Sequence, residues 1–121
     1  MRSEVSDLEE RLASIRLLAL DVDGVLTDGA ILYDSAGGEQ KCFHVADGMG
    51  IVLMRLAGIA VAWLSARSDP IVVRRAAELQ VPYLLQGLRN KGPALQELGE
   101  TLGLERAGIA YAGDDWNDLP A

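Results

Sequence analysis

The sequence predicts an α/β fold in which a parallel sheet carries helices on both faces. Two observations lead to this prediction: short apolar runs alternate regularly with helical segments, and polar residues follow directly where the apolar runs end. Alternating strands and helices form parallel sheets, because each helical crossover returns the chain to the same end of the sheet. The chain has 121 residues, half of them apolar, which gives room for one domain with a real core.

The N-terminal part predicts a helix, a strand and a hairpin. Residues 3–14 carry apolar side chains at positions 5, 8 and 12, the spacing of an amphipathic helix capped by Ser3 or Ser6. The apolar run over about 16–22 is typical of a buried parallel strand. Residues 30–45 alternate in character around a Gly-Gly pair, which predicts a β-hairpin above the carboxyl edge of the sheet. We expect this hairpin to be a lid or an oligomer contact.

The rest of the chain repeats strand and helix. Asp47 is expected to cap a helix through Leu56 that closes at Gly58, and Asp69 with Pro70 opens the next helix. A further helix follows Lys91-Gly92-Pro93 and runs to about Leu102; the predicted strands are 59–64, 81–85 and 108–112. The chain stops after an acidic loop, where a doubly wound sheet normally continues. We therefore expect residues 1–121 to be a single domain truncated at its C-terminus.

Composition narrows the classes of partner. The net charge of -7 and the isoelectric point near 4.5 argue against nucleic acid, because phosphate backbones are bound by patches of Lys and Arg. No apolar stretch approaches the ~20 residues of a membrane span, and the polar start lacks a signal-peptide profile. Cys42 is the only cysteine, so an intrachain disulfide and a cysteine-based zinc site are excluded. We expect a cytoplasmic protein in which Cys42 is a packing residue.

Four segments place polar residues near the expected strand ends. They are Asp21 and Asp23 after the first strand, Ser65-Ala66-Arg67 after the second, Lys91 in the loop before a helix, and the acidic loop 113–118 after the last strand. In open α/β sheets the carboxyl ends of the strands meet at one edge, where ligands bind. Asp21 and Asp23 point the same way, and two crowded carboxyls require a cation or a proton. The carboxylates can hold Mg²⁺, while Ser65, the next backbone N–H and Lys91 can hold phosphoryl oxygens.

Several of these residues also have a purely structural interpretation. Asp114 and Asp115 could simply cap the following helix. Arg67 could pair only with a nearby carboxylate, and Arg75 could be ordinary solvated charge on a helix. His44, the only histidine, is favoured as a packing residue or an oligomer contact over a catalytic one.

The polar segments form an ordered set of motifs. They are Asp21-Val22-Asp23-Gly24-Val25-Leu26-Thr27-Asp28-Gly29, the hairpin with Gly38-Glu39, Lys41 and Phe43, then Asp47-Gly48, Ser65-Ala66-Arg67, Gln86-Gly87 before Lys91, and the acidic loop. From Leu18 to Pro120 the chain resembles the haloacid dehalogenase (HAD) superfamily. Within that superfamily it resembles the capless 3-deoxy-D-manno-octulosonate 8-phosphate phosphatase family and its sialic-acid-pathway relatives. The resemblance implies a HAD-like Rossmannoid three-layer sandwich with a β-hairpin insertion and no cap domain.

The resemblance also implies a reaction. It implies that this protein is a Mg²⁺-dependent phosphatase of lipopolysaccharide biosynthesis. Its substrate would be 3-deoxy-D-manno-octulosonate 8-phosphate, or a related nonulosonate 9-phosphate, which it would hydrolyse through an aspartyl-phosphate. Asp21 would be the nucleophile, and Asp23 would protonate the leaving alkoxide and then deprotonate the attacking water. Ser65, the Ala66 N–H and Lys91 would stabilise the phosphoryl oxygens.

Metal and substrate contacts are implied in the same way. Asp21, the backbone carbonyl of Asp23, and Asp114 would bind the metal, with Asp115 and Asp118 in supporting positions. Substrate contacts would come from Asp23, His44, Val45, Ala46, Asp47, Gly48, Ala66, Arg67, Arg75 and Lys91. The chain departs from the family pattern at Ala46 and Val52, where arginines are usual, and Ser65-Ala66-Arg67 replaces the more usual Thr-Gly-Arg.

Two other functions and one assembly follow as hypotheses. A binding or regulatory module that lost activity is the alternative that the missing arginines favour. A phosphotransferase or mutase of the same superfamily is disfavoured, because those enzymes carry a larger cap than the short insertion here. The hairpin would expose the apolar residues Ile31, Tyr33 and Phe43, and family members form tetramers through it, so we expect a homotetramer.

Overall fold

A computed structural model describes residues 4–121 and shows the predicted alternation of helices and strands. The elements in chain order are α1 (Glu4–Ala13), β1 (Leu17–Asp21), β2 (Leu32–Tyr33), β3 (Glu39–Gln40), α2 (Val45–Leu56), β4 (Ala60–Leu64), α3 (Pro70–Glu78), β5 (Tyr83–Leu85), α4 (Lys91–Thr101) and β6 (Ile109–Ala112). Two 3₁₀ turns, Arg106–Gly108 and Trp116–Asp118, lie on either side of β6.

The central sheet has four parallel strands in the order β5-β4-β1-β6. This confirms the predicted α/β fold. The register pairs Asp21 with Leu64 and Leu20 with Ala112, so β1, β4 and β6 end at the same edge. The chain segments that follow these three strands therefore start side by side. The short strands β2 and β3 pair antiparallel as a separate hairpin.

Each face of the sheet is covered, as the continuous apolar strands require. Along β1, Leu20 packs on the face covered by α2 and α3, while Leu17 and Ala19 pack on the face covered by α4. Trp63 and Leu64 of β4 divide in the same way and are fully buried. The result is a three-layer sandwich. In residues 4–121 no helix is both long and apolar enough to cross a membrane.

Two predicted helix starts differ from the structure, and a third is tested only in part. His44, not Asp47, caps α2, because its Nδ1 accepts the Ala46 N–H at 3.1 Å and Asp47 lies in the first turn. Lys91 is the first residue of α4 and not part of the preceding loop, since Asn90 supplies the cap. Ser6 lies inside α1 and cannot cap it, and Ser3 lies outside the described residues.

Two predictions about helix ends are confirmed, and two about the exposure of side chains are wrong. Asp69 caps α3 with Pro70 at its start, and Gly58 follows α2 with a φ of +81°, both as expected. Phe43 is not exposed on the hairpin as expected, because its ring stacks on the buried ring of Trp63 at a centroid distance of 6.2 Å. Cys42 is exposed, so the packing role expected for it is wrong.

Candidate active site

The end of β1 places a buried carboxylate beside the acidic loop. Asp21 is buried, and the chain then turns tightly, with the Val22 carbonyl accepting the N–H groups of Val25, Leu26 and Thr27. Gly24 takes a φ of +87°, a conformation that glycine adopts without strain. A Cβ at Gly24 would lie 1.7 Å from Asp114 Oδ2, so only a glycine lets the turn approach the acidic loop this closely.

Lys91 joins the two sides of the site. Its Nζ donates to Asp21 Oδ1 at 2.8 Å and to Asp118 Oδ1 at 2.6 Å, and all three side chains are buried. Burial by itself lowers the pKa of Lys91, but the hydrogen bonds to the two carboxylates outweigh it and raise the pKa. Lys91 therefore holds a fixed positive charge next to the Asp21 carboxylate.

Asp118 organises the acidic loop. Its Oδ2 accepts the backbone N–H groups of Asp114 and Asp115, both at 3.2 Å, and the Tyr111 hydroxyl donates to its Oδ1. Asp115 completes a capping box with Asp118 around the turn Trp116–Asp118. Burial raises the pKa of Asp118, but its hydrogen bonds to Lys91 and Tyr111 have the larger combined effect and lower it. Asp118 thus stays ionised while it positions Asp114.

The residues present fit a hard divalent cation. Asp21, Asp114 and Asp118 each bring one carboxylate oxygen within 4.8 Å of the others. Burial raises the pKa of Asp21 to about 6 despite the hydrogen bond from Lys91, and the neighbouring Asp114 carboxyl adds to the increase. The Asp118 carboxylate already accepts hydrogen bonds from Lys91, from Tyr111 and from two backbone N–H groups. The carboxyls of Asp21 and Asp114, by contrast, lie next to each other. Two opposed carboxyls and an all-oxygen donor set are what Mg²⁺ binding requires.

Asp23 is separated from these three carboxylates. Its Oδ1 forms an ion pair with Lys41 Nζ at 2.8 Å, and Lys41 also contacts Asp69 Oδ2 at 2.7 Å. The metal contact expected through the Asp23 backbone carbonyl stays a prediction. Burial lowers the pKa of Lys41, but hydrogen bonds to Asp23 and Asp69 raise it overall.

The loop after β4 supplies the expected hydroxyl and N–H groups. Ser65 is buried at the strand end, and its Oγ accepts the Arg67 N–H at 3.2 Å. Ala66 lies between them in the exposed part of the turn. The Arg67 guanidinium pairs with Glu39 of the hairpin at 3.0 Å. Arg67 therefore has the carboxylate partner that its structural interpretation requires, and its substrate role stays a prediction.

The expected substrate segment is the first turn of α2. Val45, Ala46 and Asp47 are exposed. His44, Ala46 and Asp47 line a cavity of about 410 Å³ together with Asp28, whereas Val45 does not line it. The side of α2 at Gly48 faces α3 instead, because a Cβ there would lie 2.6 Å from an Arg75 nitrogen.

Arg75 has structural partners of its own. Its guanidinium lies 5.9 Å from the centre of the Phe43 ring and pairs with Glu78 at 3.2 Å. These contacts pack α3 against the start of α2. A direct contact of Arg75 with substrate stays a prediction.

Sequence reasoning assigned no role to two residues of this site, Lys41 and Tyr111. Lys41 belongs to a motif in the hairpin, but nothing in the sequence indicates which carboxylates it meets. Tyr111 lies on β6 two residues before the acidic loop begins, so its polar hydroxyl on an apolar strand was a usable signal.

Comparisons with known proteins agree with the geometry. No family model matches the chain. It is 43% identical over 114 residues to the 3-deoxy-D-manno-octulosonate 8-phosphate phosphatase of Haemophilus influenzae, covering 94% of this chain and 63% of that protein. The Escherichia coli K12 phosphatase of the same name is 42% identical over 115 residues, covering 95% and 61%. The chain thus spans less than two thirds of the length of these relatives.

The fold of this chain also matches the folds of solved structures. The Moraxella catarrhalis 3-deoxy-D-manno-octulosonate 8-phosphate phosphatase, crystallised with magnesium, phosphate and a KDO molecule, gives a TM-score of 0.90 at 42% identity over 93% of this chain and 65% of that one. A Legionella pneumophila protein assigned to subfamily III A of the HAD superfamily gives 0.93 at 43% identity, covering 97% and 64%. The chain is therefore similar in sequence and in fold to proteins of the haloacid dehalogenase superfamily, among them its 3-deoxy-D-manno-octulosonate 8-phosphate phosphatases.

Proposed function

We propose that this protein is a Mg²⁺-dependent phosphatase that hydrolyses a small phosphorylated sugar acid. The first candidate substrate is 3-deoxy-D-manno-octulosonate 8-phosphate, followed by a nonulosonate 9-phosphate. The observation that carries the proposal is the buried Asp21 carboxylate, which lies beside the Asp114 carboxyl and accepts a hydrogen bond from Lys91. A nucleophile, a cation site and a fixed positive charge are thereby within one small volume.

Each residue then has a defined part. Asp21 attacks phosphorus and forms an aspartyl-phosphate, while the ester bond breaks and its electron pair leaves with the alkoxide oxygen. Asp23 gives that oxygen a proton and later takes one from the water that hydrolyses the aspartyl-phosphate. Lys91, the Ser65 hydroxyl and the Ala66 N–H bind the phosphoryl oxygens. Asp21, Asp114 and the Asp23 carbonyl would hold Mg²⁺, with Asp115 and Asp118 in support. The ion would supply positive charge to offset that of the phosphoryl group.

The relatives support the cofactor and the substrate class. The Moraxella catarrhalis structure contains magnesium, phosphate and KDO, and a Haemophilus influenzae relative was solved with cobalt. In this chain the contacts to the sugar acid are assigned to His44, Val45, Ala46, Asp47, Gly48, Arg67 and Arg75. Ala46 and Val52 stand where the family usually has arginines, so an acidic sugar meets fewer cations here.

The test is phosphate release from a panel of sugar phosphates with and without Mg²⁺. We expect turnover that depends on Mg²⁺ and is abolished in Asp21→Asn, which keeps the shape of the side chain and removes the nucleophilic charge. Asp114→Asn should weaken Mg²⁺ binding, measured by calorimetry, because it removes an anionic oxygen ligand. A folded wild-type protein that binds a sugar phosphate without turnover would favour the regulatory module instead.

We also propose a cytoplasmic homotetramer with the β2–β3 hairpin in its interface. Leu32 and Tyr33 expose apolar surface at the hairpin, which often marks an interface. An exposed free thiol at Cys42 suits a reducing compartment. The acidic composition leaves nucleic acid and membrane surfaces out of the expected partners.

A further inference from the structure

Lys41 forms a buried bridge between three parts of the chain. It lies just after β3 of the hairpin, and its side chain is 0% exposed. Its Nζ is 2.8 Å from Asp23 Oδ1, in the turn after β1, and 2.7 Å from Asp69 Oδ2, at the cap of α3. An ammonium group that is removed from water between two carboxylates fixes the positions of all three groups.

Asp69 is the rigid end of this bridge. Its side chain is buried, and its Oδ1 accepts the Ile71 N–H at 2.9 Å as the cap of α3. Its backbone carbonyl accepts Gln86 Nε2 at 3.2 Å from the neighbouring loop. Asp69 is therefore held in place by its own hydrogen bonds. Because Lys41 contacts both Asp69 and Asp23, it restrains the Asp23 side chain relative to Asp69.

Asp23 is the partly exposed end of the bridge. Its side chain is 25% exposed, and Lys41 holds one of its oxygens. A residue that delivers a proton must meet the departing oxygen within hydrogen-bond distance and direction, and small misplacements reduce the rate strongly. A carboxyl that could rotate freely toward solvent would often miss that geometry.

We propose that Lys41, supported by Asp69, is a positioning residue that aims the Asp23 carboxyl at the leaving-group oxygen. This inference rests on the phosphatase activity proposed above. It assigns the hairpin a direct part in catalysis, because Lys41 is the hairpin residue that contacts Asp23. In the step concerned, the phosphorus–oxygen ester bond breaks, its electrons stay on the alkoxide oxygen, and the Asp23 proton moves to that oxygen.

The test uses substrates that differ in their need for this proton. A sugar phosphate releases an alkoxide that must be protonated, whereas p-nitrophenyl phosphate releases a stable phenolate. The value of kcat/KM reports steps only up to departure of the leaving group, so it isolates the proton transfer. We expect Lys41→Met to lower kcat/KM by about 10- to 100-fold on the alkyl phosphate that the wild type hydrolyses fastest, and less than about threefold on p-nitrophenyl phosphate.

Asp69→Asn is the second variant, since asparagine still caps α3 while losing the charge that holds Lys41. It should show the same selective loss, to a smaller degree, even if Lys41→Met does not fold. Adding Lys41→Met to Asp23→Asn should cause no further loss on the alkyl substrate, because both changes remove one function. Arg74→Met is the matched control, as Arg74 is exposed and pairs only with Glu78 among the described residues.

The outcomes separate the inference from the activity on which it rests. Equal losses on both substrates in folded Lys41 and Asp69 variants would overturn the positioning role and leave the phosphatase intact. Additive losses in the double variant would overturn it as well. A wild-type protein that hydrolyses neither substrate in Mg²⁺ would overturn the proposed function and the inference together.

Discussion

At the scale of single residues, the site is defined by buried charges that compensate one another. Lys91 neutralises part of the charge of Asp21 and Asp118, and Lys41 does the same for Asp23 and Asp69. The two lysines of the chain are both used in this way. Burial still disfavours the charged form of Asp21 despite the neighbouring Lys91, as expected for a carboxylate whose site binds a cation.

The raised pKa of Asp21 predicts a pH-dependent effect of Asp21→Asn on stability. Its pKa rises from 3.8 to about 6, so between these values the unfolded chain has lost a proton that the folded protein keeps. Stability therefore falls as the pH rises through this range, and the penalty is complete above pH 6. In chelator, the gain in stability from Asp21→Asn should be larger at about pH 7.5 than at about pH 4.5, by about 2 kcal/mol. Urea denaturation at both pH values measures this, and an equal gain at both would contradict it.

Lys91→Met should destabilise the metal-free protein. The change leaves two buried carboxylates without their cation, and breaking a buried ion pair costs about 3–5 kcal/mol. Exposed Arg106→Met is the control and should change stability by less than about 0.5 kcal/mol. Urea denaturation in chelator compares the two, and a loss below about 1 kcal/mol for Lys91→Met would show that the paired charges are well solvated.

At the scale of elements, tight turns at the carboxyl edge bring the acidic groups together. The turn after β1 and the loop after β6 approach so closely that Gly24 leaves no room for a Cβ beside Asp114. The hairpin reaches back over the same edge through Lys41 and through the pair of Glu39 with Arg67. The hairpin is thus attached to the candidate active site and not only to its own strands.

Gly24→Ala tests this close approach, with Gly37→Ala as its matched control. Both glycines have a φ of +87°, but a Cβ at Gly37 would meet nothing within 4 Å. Both changes should therefore cost the strain of that conformation, about 1 kcal/mol. Only Gly24→Ala should also weaken Mg²⁺ binding, by at least about tenfold, because it displaces Asp114. Calorimetric titration decides, and equal Mg²⁺ affinities in the two variants would refute the effect on Asp114.

At the scale of the whole molecule, apolar surface stays exposed on several elements. Val5, Leu8 and Leu12, the apolar positions of the amphipathic helix α1, are all exposed. Leu32 and Tyr33 expose a second patch on the hairpin. Of these surfaces, the hairpin patch belongs to the element that contacts the candidate active site through Lys41 and Glu39, so a neighbouring subunit seated there would also exclude water from that site.

Leu32→Glu tests the proposed assembly. A buried charge in a subunit interface is costly, so we expect this variant to shift a tetramer to smaller species at micromolar concentration. Val5→Glu places the same charge on an exposed apolar residue outside the hairpin and should leave the mass unchanged. Light scattering gives both masses. A monomeric wild-type protein with full activity would rule out the tetramer.

The fold class, the order of the elements and the acidic residues that follow the strand ends were all predictable from the amino-acid sequence. Apolar runs of strand length between helical segments admit few arrangements other than a parallel sheet, and residues that follow parallel strands must meet at one edge. Asp21, Ser65 and Asp114 were predictable for that reason. The cap of α3 at Asp69 was also predictable, because a capping bond joins residues that are close in the chain.

Which charged groups contact one another depends on the folded chain and was not predictable from the sequence. The pairing of Lys91 with Asp118, of Lys41 with Asp23 and Asp69, and of Phe43 with Trp63 joins residues far apart in sequence. The exposure of Cys42 likewise depends on how the hairpin leads into α2. The cap of α2 at His44 instead of Asp47 is different: its bond is local, but histidine is not among the residues that helix N-caps prefer. Local patterns restrict the conformation of a segment, but they do not determine the packing that selects a side chain's partners, because that depends on the whole folded chain.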